Sequence, residues 1–363
     1  MLRRILDIVG MPIYAAQILS GRKAFEGNPL ISSVSLNRRG LHAWRVRAAA
    51  AMAERRRRKL RHLISEDDRL AFERDGFVKC SGVLDPETFR SLVAEVRALR
   101  EPAREMVEGR AVTRRIEVTP DVLARAPSLR RFLETPQWRG LTRYIGAFDV
   151  EPIVCIQTIF GAASETGPDQ DPQTRLHTDT FHPTMKAWFF LEDVPLETGP
   201  FTYIPGSHRL TKRRLAWQKR MSIRASQAQK GGSFRIEDDA LGPLRLRERQ
   251  AFAVPANTLV VGDTFGFHAR GRALRPSTRV EIYASMRPNP FNPFVSLDTA
   301  YLPFVGGRKM TIGWTFEDIL VRLGLGRRIW RPIGAVDPWS ASTSLPAQPR
   351  RAKAGGARPA AAP

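Results

Sequence analysis

Cysteine is nearly absent from this chain. Cys80 and Cys155 are the only two and no C-x-x-C pair occurs, which argues against a disulfide framework and against a thiolate-bound structural zinc. Such thiol poverty fits a reducing, cytoplasmic compartment. Long apolar runs are missing too: no stretch approaches the ~20 residues needed to cross a bilayer. The opening MLRRILDIVGMPIYAAQILSG has a basic start and an apolar middle, but Asp7 and Pro12 interrupt it and no small-x-small cleavage site follows, so it reads as retained rather than as a signal peptide. Internal repeats are also absent. Acidic residues are scarce beside basic ones, 36 Asp and Glu against 58 Lys and Arg, for a net charge of +22 and a pI near 11.1. That excess predicts anionic partners, whether a carboxylated or phosphorylated metabolite, a lipid surface or nucleic acid. Nucleic acid is disfavoured because no recognised binding module accompanies the charge.

With 42% hydrophobic residues over 363 positions, the chain can bury a large core. Its first part, 1–64, differs from the rest. Leu2, Ile5, Ile8 and Val9 recur at helical spacing before Pro12, Ile13, Ala16 and Leu19 form a second stripe, and HAWRVRAAAAMAERRRRKLRH reads as a helix with a charge block at Arg55 to Lys59. This segment is expected either to cap the domain as a solvated helix or to lie on anionic lipid. The folded body is expected over 65–290. Ser65 and Asp68 make a capping box, Gly76 a stop, and Asp85 with Pro86 opens a helix striped by Phe89, Leu92, Val93, Val96 and Leu99. Short helices broken at prolines are expected over 100–149.

From Val150 the period changes to strands: EPIVCIQTIF, KAWFFLEDV, FTYIPGS, FAVPANTLVVGDTFGFH and TRVEIYASM. Strands following a helical block predict a mainly β fold with flanking helices, a double-stranded β-helix (jelly roll) of the cupin type. An insertion over 209–250 is expected to act as a lid at the barrel mouth. The extension 291–339 carries a capping box at Thr315 and Asp318, with Phe316, Ile319, Leu320 and Leu323 packing back on the domain. The Ser-, Pro-, Ala- and Arg-rich tail 340–363 cannot bury a core and is expected to be disordered.

The chemistry centres on RLHTDTFH. His177 and Asp179, at i and i+2 on a strand, share a face, so an imidazole and a carboxylate can take adjacent positions on one metal. His268, ending the apolar run VVGDTFGFH, is the third candidate ligand. Two histidines and one carboxylate with an open face make the facial triad of non-haem Fe(II) oxygenases. Arg279, eleven residues further on, is in phase with Glu281 and Tyr283 on its strand and offers a bidentate grip for an acidic cosubstrate. Gln157 and Trp188 are expected to line the pocket as cofactor-binding residues, His182 is a weaker candidate for substrate contact, and His208 in PGSH is expected to be structural.

The order H-x-D, then PGSH, then a distal histidine with arginine eleven further on resembles the phytanoyl-CoA dioxygenase family of Fe(II)- and 2-oxoglutarate-dependent oxygenases. FERDGFVKCSGVLDPETFRSLVAEV, FFLEDVPLETGPFTYIPGSHRL and VVGDTFGFHARGRALRPSTR support the likeness, which covers roughly Ser65 to Pro290. It implies the double-stranded β-helix, Fe(II) held by His177, Asp179 and His268, 2-oxoglutarate paired with Arg279, and O2 as co-reactant, with succinate and CO2 released. The carboxylate at Asp179 argues for hydroxylation, since related halogenating sites, as the resemblance implies, lack it. One departure is Arg270, which stands where the resemblance implies a small hydroxyl residue beside 2-oxoglutarate. The basic segments lead to an expected substrate that is small or lipid-linked and anionic, with peripheral contact at the inner face of a membrane. There are two rivals: a zinc-type metal-dependent hydrolase using the same His and Asp ligands, and a non-catalytic jelly-roll binding protein docked at a membrane surface by its basic ends.

Overall fold

The computed structural model describes residues 10–163, 171–229, 231–297, 307–342 and 344. The stripe Leu2 to Val9 and the tail beyond 344 lie outside these. The body opens with α1 (Met11–Ile18), α2 (Val34–Arg39), α3 (Leu41–Leu60) and α4 (Glu66–Asp75). Helix α4 begins where the capping box places it, with the Ser65 hydroxyl accepting from the Asp68 amide at 3.1 Å. It stops at Gly76, whose φ of +87° and a virtual Cβ only 2.4 Å from His208 Nδ1 exclude any side chain.

An eight-stranded antiparallel sheet carries the architecture, in the order β1 (Phe77–Ser81), β8 (Thr258–Asp263), β5 (Met185–Phe190), β10 (Ser277–Met286), β4 (Ile153–Gly161), β3 (Ala111–Glu117), β2 (Glu101–Glu108) and β11 (Arg331–Val336). Facing it is a short sheet of β7 (Gln250–Ala251), β6 (Phe201–Tyr203) and β9 (His268–Arg270). Bridges from His177 to His268 and to Arg235 widen the short sheet. Two facing antiparallel sheets with helices on one outer face are the expected jelly roll.

The two-residue period decides what goes where. Along β10, Val280, Ile282 and Ala284 point outward into a core shared with α5 (Pro86–Ala98), α7 (Pro127–Glu134) and α8 (Pro136–Gly146), through Leu92, Val96, Phe132, Trp138 and Ile145. Burying each such side chain contributes ~1.5–3 kcal/mol. Tyr283 on the other face meets Trp188, Phe201 and Phe252 between the sheets. Gly266, in the turn between β8 and β9, is needed because a Cβ there would sit 1.8 Å from the Tyr203 hydroxyl, which donates to the Asp263 carbonyl at 2.8 Å.

Four expectations are corrected. Residues 101–117 form the hairpin β2–β3 before the short helices start at α6 (Pro120–Arg125); its many charges hid a strand alternation, and a buried Arg114–Glu105 pair at 2.8 Å spans it. The insertion holds a 17-residue helix, α9 (Lys212–Ala228), packed on α2 and α3 rather than forming an open lid. The C-terminal helix α10 (Lys309–Arg322) starts six residues before Thr315, and its first amides are capped by the Glu117 carboxylate, which accepts from Met310 and Thr311 at 2.7 and 2.9 Å. Its Phe316, Ile319 and Leu323 face outward, and Trp314 lies instead under Arg104.

The charge block of α3 is not solvated throughout. Arg56 donates to the carbonyls of Ala147 and Asn292 at 2.8 and 2.7 Å, and Arg57 to that of Ile145 at 2.6 Å and to the Asp263 carboxylate at 2.9 Å. The helix is thereby stitched to the turn that leads to His268.

Candidate metal centre

The apolar run of β8 and the Gly266 turn deliver His268 to the start of β9. There it exchanges backbone hydrogen bonds with His177, N to O at 3.0 Å in both directions. The Asp179 amide donates to the Thr264 carbonyl at 3.1 Å, which fixes the H-x-D segment against the same turn. Three side chains distant in sequence therefore meet, with ligand atoms all within 4.8 Å of one another. The Asp179 Oδ1 lies 3.9 Å from His177 Nε2 and 3.6 Å from His268 Nε2.

Each imidazole is oriented by a carbonyl. His177 Nδ1 lies 2.8 Å from the Arg175 oxygen and His268 Nδ1 lies 2.9 Å from the Gly266 oxygen. With Nδ1–H donating, each Nε2 keeps its lone pair for an ion. Burial, reinforced by the neighbouring His268, lowers His177 to about 3, so its imidazole is neutral at physiological pH. His268 Nε2 is buried with no hydrogen-bond partner. A buried orphan acceptor costs free energy, and an ion between these groups would remove that cost. The donor set of two nitrogens and one oxygen suits Fe(II).

Asp179 has two different sides. Its Oδ1 faces the imidazoles, while Oδ2 lies 2.7 Å from Lys186 Nζ and 2.9 Å from an Arg287 guanidinium nitrogen. Burial alone would raise this carboxyl, but Lys186, Arg287 and His268 outweigh it and hold it well below the ordinary range. Lys23, from the segment ahead of α2, donates to the Asp179 carbonyl at 2.8 Å and to the Ser233 hydroxyl at 2.6 Å. Burial and the nearby Arg287 lower it to about 8.

These groups line a cavity of about 530 Å³ that also takes in Arg279, Gln157 and Trp188. Arg279 is buried, donating from Nε to Glu281 Oε2 at 3.0 Å and from Nη1 to the Gly199 carbonyl at 3.2 Å. Gln157 joins Glu281 at 2.7 Å to Arg115 at 2.9 Å. Trp188 packs on Phe201 with ring centroids 4.1 Å apart. Arg270 faces the same space and is paired with Asp171 at 2.8 Å. His182 does not reach the cavity: it is buried with Nδ1 3.0 Å from the Pro183 oxygen. His208 packs 5.2 Å from the Phe72 ring.

Sequence reasoning missed Lys23, Arg115, Lys186, Arg235 and Arg287 among the lining residues. Two of these carried a signal. Lys186 shares the Trp188 phase of β5, and Arg287 continues the inward phase of Arg279, Glu281 and Tyr283. Lys23 carried none, being 156 residues from Asp179.

The description Phytanoyl-CoA dioxygenase (PhyH) matches residues 72–239. Among solved structures, the nogalamycin-biosynthesis epimerase SnoN, described with Fe3+ and alpha ketoglutarate, is 21% identical with a TM-score of 0.40, covering 61% of this chain and 82% of its own. HygX from Streptomyces hygroscopicus, described with nickel and 2-oxoglutarate, is 17% identical with a TM-score of 0.38, covering 61% and 86%. EctD from S. alaskensis, described with 2-oxoglutarate and 5-hydroxyectoine, is 16% identical with a TM-score of 0.38, covering 61% and 76%. No curated protein matches the chain. The match over 72–239, which contains His177 and Asp179, carries the assignment rather than these distant superpositions. Residues 72–239, somewhat less than half of the chain, thus match the phytanoyl-CoA dioxygenase family.

Proposed function

We propose that the protein hydroxylates an anionic substrate, converting substrate, O2 and 2-oxoglutarate into hydroxylated substrate, succinate and CO2. The observation that carries this reading is the meeting of His177, Asp179 and His268 inside a cavity where seven lysine and arginine side chains face three carboxylates. In this reading His177, His268 and Asp179 would hold Fe(II), and Arg279 would pair the far carboxylate of 2-oxoglutarate. Iron bound with 2-oxoglutarate supplies the oxidant for a C–H bond. The protein's own residues supply geometry. The Arg175 and Gly266 carbonyls fix the imidazole planes, and Lys186 with Arg287 occupies the second Asp179 oxygen so that one oxygen is left for the metal. Trp188, Phe201 and Tyr283 form the apolar part of the wall and exclude water. Gln157 holds Glu281 in place under Arg279.

A zinc hydrolase is the weaker reading because it needs a general base beside the metal. The cavity's other carboxylates are engaged, Glu281 with Arg279 and Glu108 with Gln173 at 3.0 Å. The deciding experiment is anaerobic titration of the full chain with Fe(II) and then 2-oxoglutarate. One equivalent of each, with a visible charge-transfer band that His177→Ala, Asp179→Ala and His268→Ala abolish, is the expected result. Tight zinc binding without the band overturns it.

A narrower form of the reading makes the anion lipid-linked. No helix among the described residues is long and apolar enough to cross a membrane. What favours surface contact is α10, whose exposed Ile312, Phe316 and Ile319, with Leu323 just beyond its end, are flanked by exposed Arg322, Arg327 and Arg328, an apolar face with basic flanks suited to an anionic bilayer. Sedimentation with phosphatidylglycerol vesicles at low and moderate salt tests it; no binding at low salt removes the lipid from the proposal and leaves the oxygenase.

A further inference from the structure

The cavity has two charged ends. Arg279, Glu281, Tyr283, Ser285 and Arg287 alternate along one face of β10 and its continuation, and all of them line the cavity. Eight residues at ~3.3 Å each separate Arg279 from Arg287 by about 26 Å along the backbone. A five-carbon diacid gripped at Arg279 has only its other carboxylate left, and in the reading above the metal takes that one, beside Asp179 and Arg287. The far end therefore needs its own explanation.

At that end Lys186 and Arg287 contact the Asp179 carboxylate, and Lys23 and Arg235 line the cavity beside them. Lys186 Nζ and an Arg287 guanidinium nitrogen lie 2.7 and 2.9 Å from Asp179 Oδ2. Lys23 Nζ bonds the Asp179 carbonyl and Ser233 Oγ, and Arg235, two residues on from Ser233, lines the same wall. Asp179 already pairs with Lys186 and Arg287 and is shared with the metal in the reading above, which leaves Lys23 and Arg235 without a carboxylate at hydrogen-bond distance among the described residues. Like charges held together in a half-buried cavity repel more than they would in water. An incoming anion would relieve that repulsion and strengthen its own binding.

We propose that Lys23, Lys186, Arg235 and Arg287 form a subsite for a carboxylate or phosphate monoester of the substrate, and that the carbon hydroxylated lies a few bonds from that group. The inference rests on the oxygenase reading for its position relative to the metal. Lys23 and Arg287 lie outside the matched residues 72–239. The segment ahead of α2 thus completes the specificity wall of the cavity.

The test titrates the full chain, with Fe(II) and saturating 2-oxoglutarate under argon, with inorganic phosphate and with acetate at constant ionic strength, read by calorimetry. At least one anion binds, and whichever binds more tightly identifies the acidic group. Lys23→Gln and Arg235→Gln each weaken it about tenfold, while the exposed helix variant Arg58→Gln binds as the wild type does. Because Lys23 also bonds the chain internally, Arg235→Gln, at an exposed position, separates lost charge from lost structure. If neither anion binds while the charge-transfer band forms, or if both variants bind as the wild type does, the subsite is refuted. If the anions bind and the variants lose them but no band forms, the subsite stands and the oxygenase reading falls.

Discussion

Both ends of this chain are rich in arginine, yet they use it in opposite ways. In the N-terminal region Arg45 and Arg57 are buried with their guanidinium groups on backbone carbonyls. Arg45 reaches those of Ile18, Ser20 and Arg22 at 2.8 to 3.0 Å and lies 4.1 Å from the Phe181 ring centroid. In the C-terminal region Arg322 and Arg327 are exposed beside an apolar face that is itself exposed. A guanidinium has five donors in a fixed fork and is weakly hydrated, so it can replace water around several carbonyls at once. Net charge therefore says little about which arginines meet a partner; burial and bonding decide it.

The sharpest way to break this comparison is Arg57→Ala. Asp263 is 1% exposed and would be left as a buried, half-paired charge, which costs about 3–5 kcal/mol. Asp263 also accepts from the Thr184 and Phe265 amides at 3.1 and 2.9 Å, and so holds the turn before His268. Urea unfolding should register the loss, and Fe(II) affinity should fall with it. A change under 1 kcal/mol would mean that the N-terminal helix is no better anchored than the C-terminal one. Arg45→Ala comes next. Hydrogen bonds to a charged donor contribute about 1.5–3 kcal/mol each, though not additively, so a loss of roughly 2–3 kcal/mol in the same assay is expected. Because Arg22 precedes Lys23, phosphate binding should weaken as well. Intact phosphate binding would show that Lys23 is held without Arg45.

Those two arginines also mark where the sequence stopped being legible. The meeting of His177, Asp179 and His268 could be read because its elements are local: H-x-D at a two-residue spacing, a histidine ending an apolar run, an arginine in phase on the next strand. The jelly roll could be read because turn residues separate strands with a clear two-residue period. Arg57, Arg45 and Lys23 act across 206, 27 and 156 residues, and nothing in RRRRK distinguishes an arginine that meets Asp263 from its solvated neighbours. The hairpin β2–β3 was obscured because Glu105 and Arg114 occupy buried positions that a strand pattern assigns to apolar residues. In α10 the apolar stripe was visible but its direction was not, since a period of 3.6 residues fixes which residues share a face and not what that face meets.

The direction of that stripe is the smallest effect and closes the comparison. Ile312, Phe316, Ile319 and Leu323 recur at helical spacing and are 49%, 61%, 47% and 65% exposed. The opposite side of α10 is the one tied down, through Arg104 to Asp318 at 2.6 Å and Glu117 to the first amides. Replacing an exposed residue removes little buried area, so Phe316→Gln and Leu323→Gln should each change stability by no more than about 0.5 kcal/mol. Their effect should appear instead on phosphatidylglycerol vesicles, where each variant sediments less than the wild type. Raising the salt should weaken the wild type through its basic flanks, since charges are screened over about 8 Å at physiological ionic strength. A loss of more than 1 kcal/mol in urea from either variant would mean that the stripe is covered in the intact chain, and the two ends would then differ in sequence but not in kind.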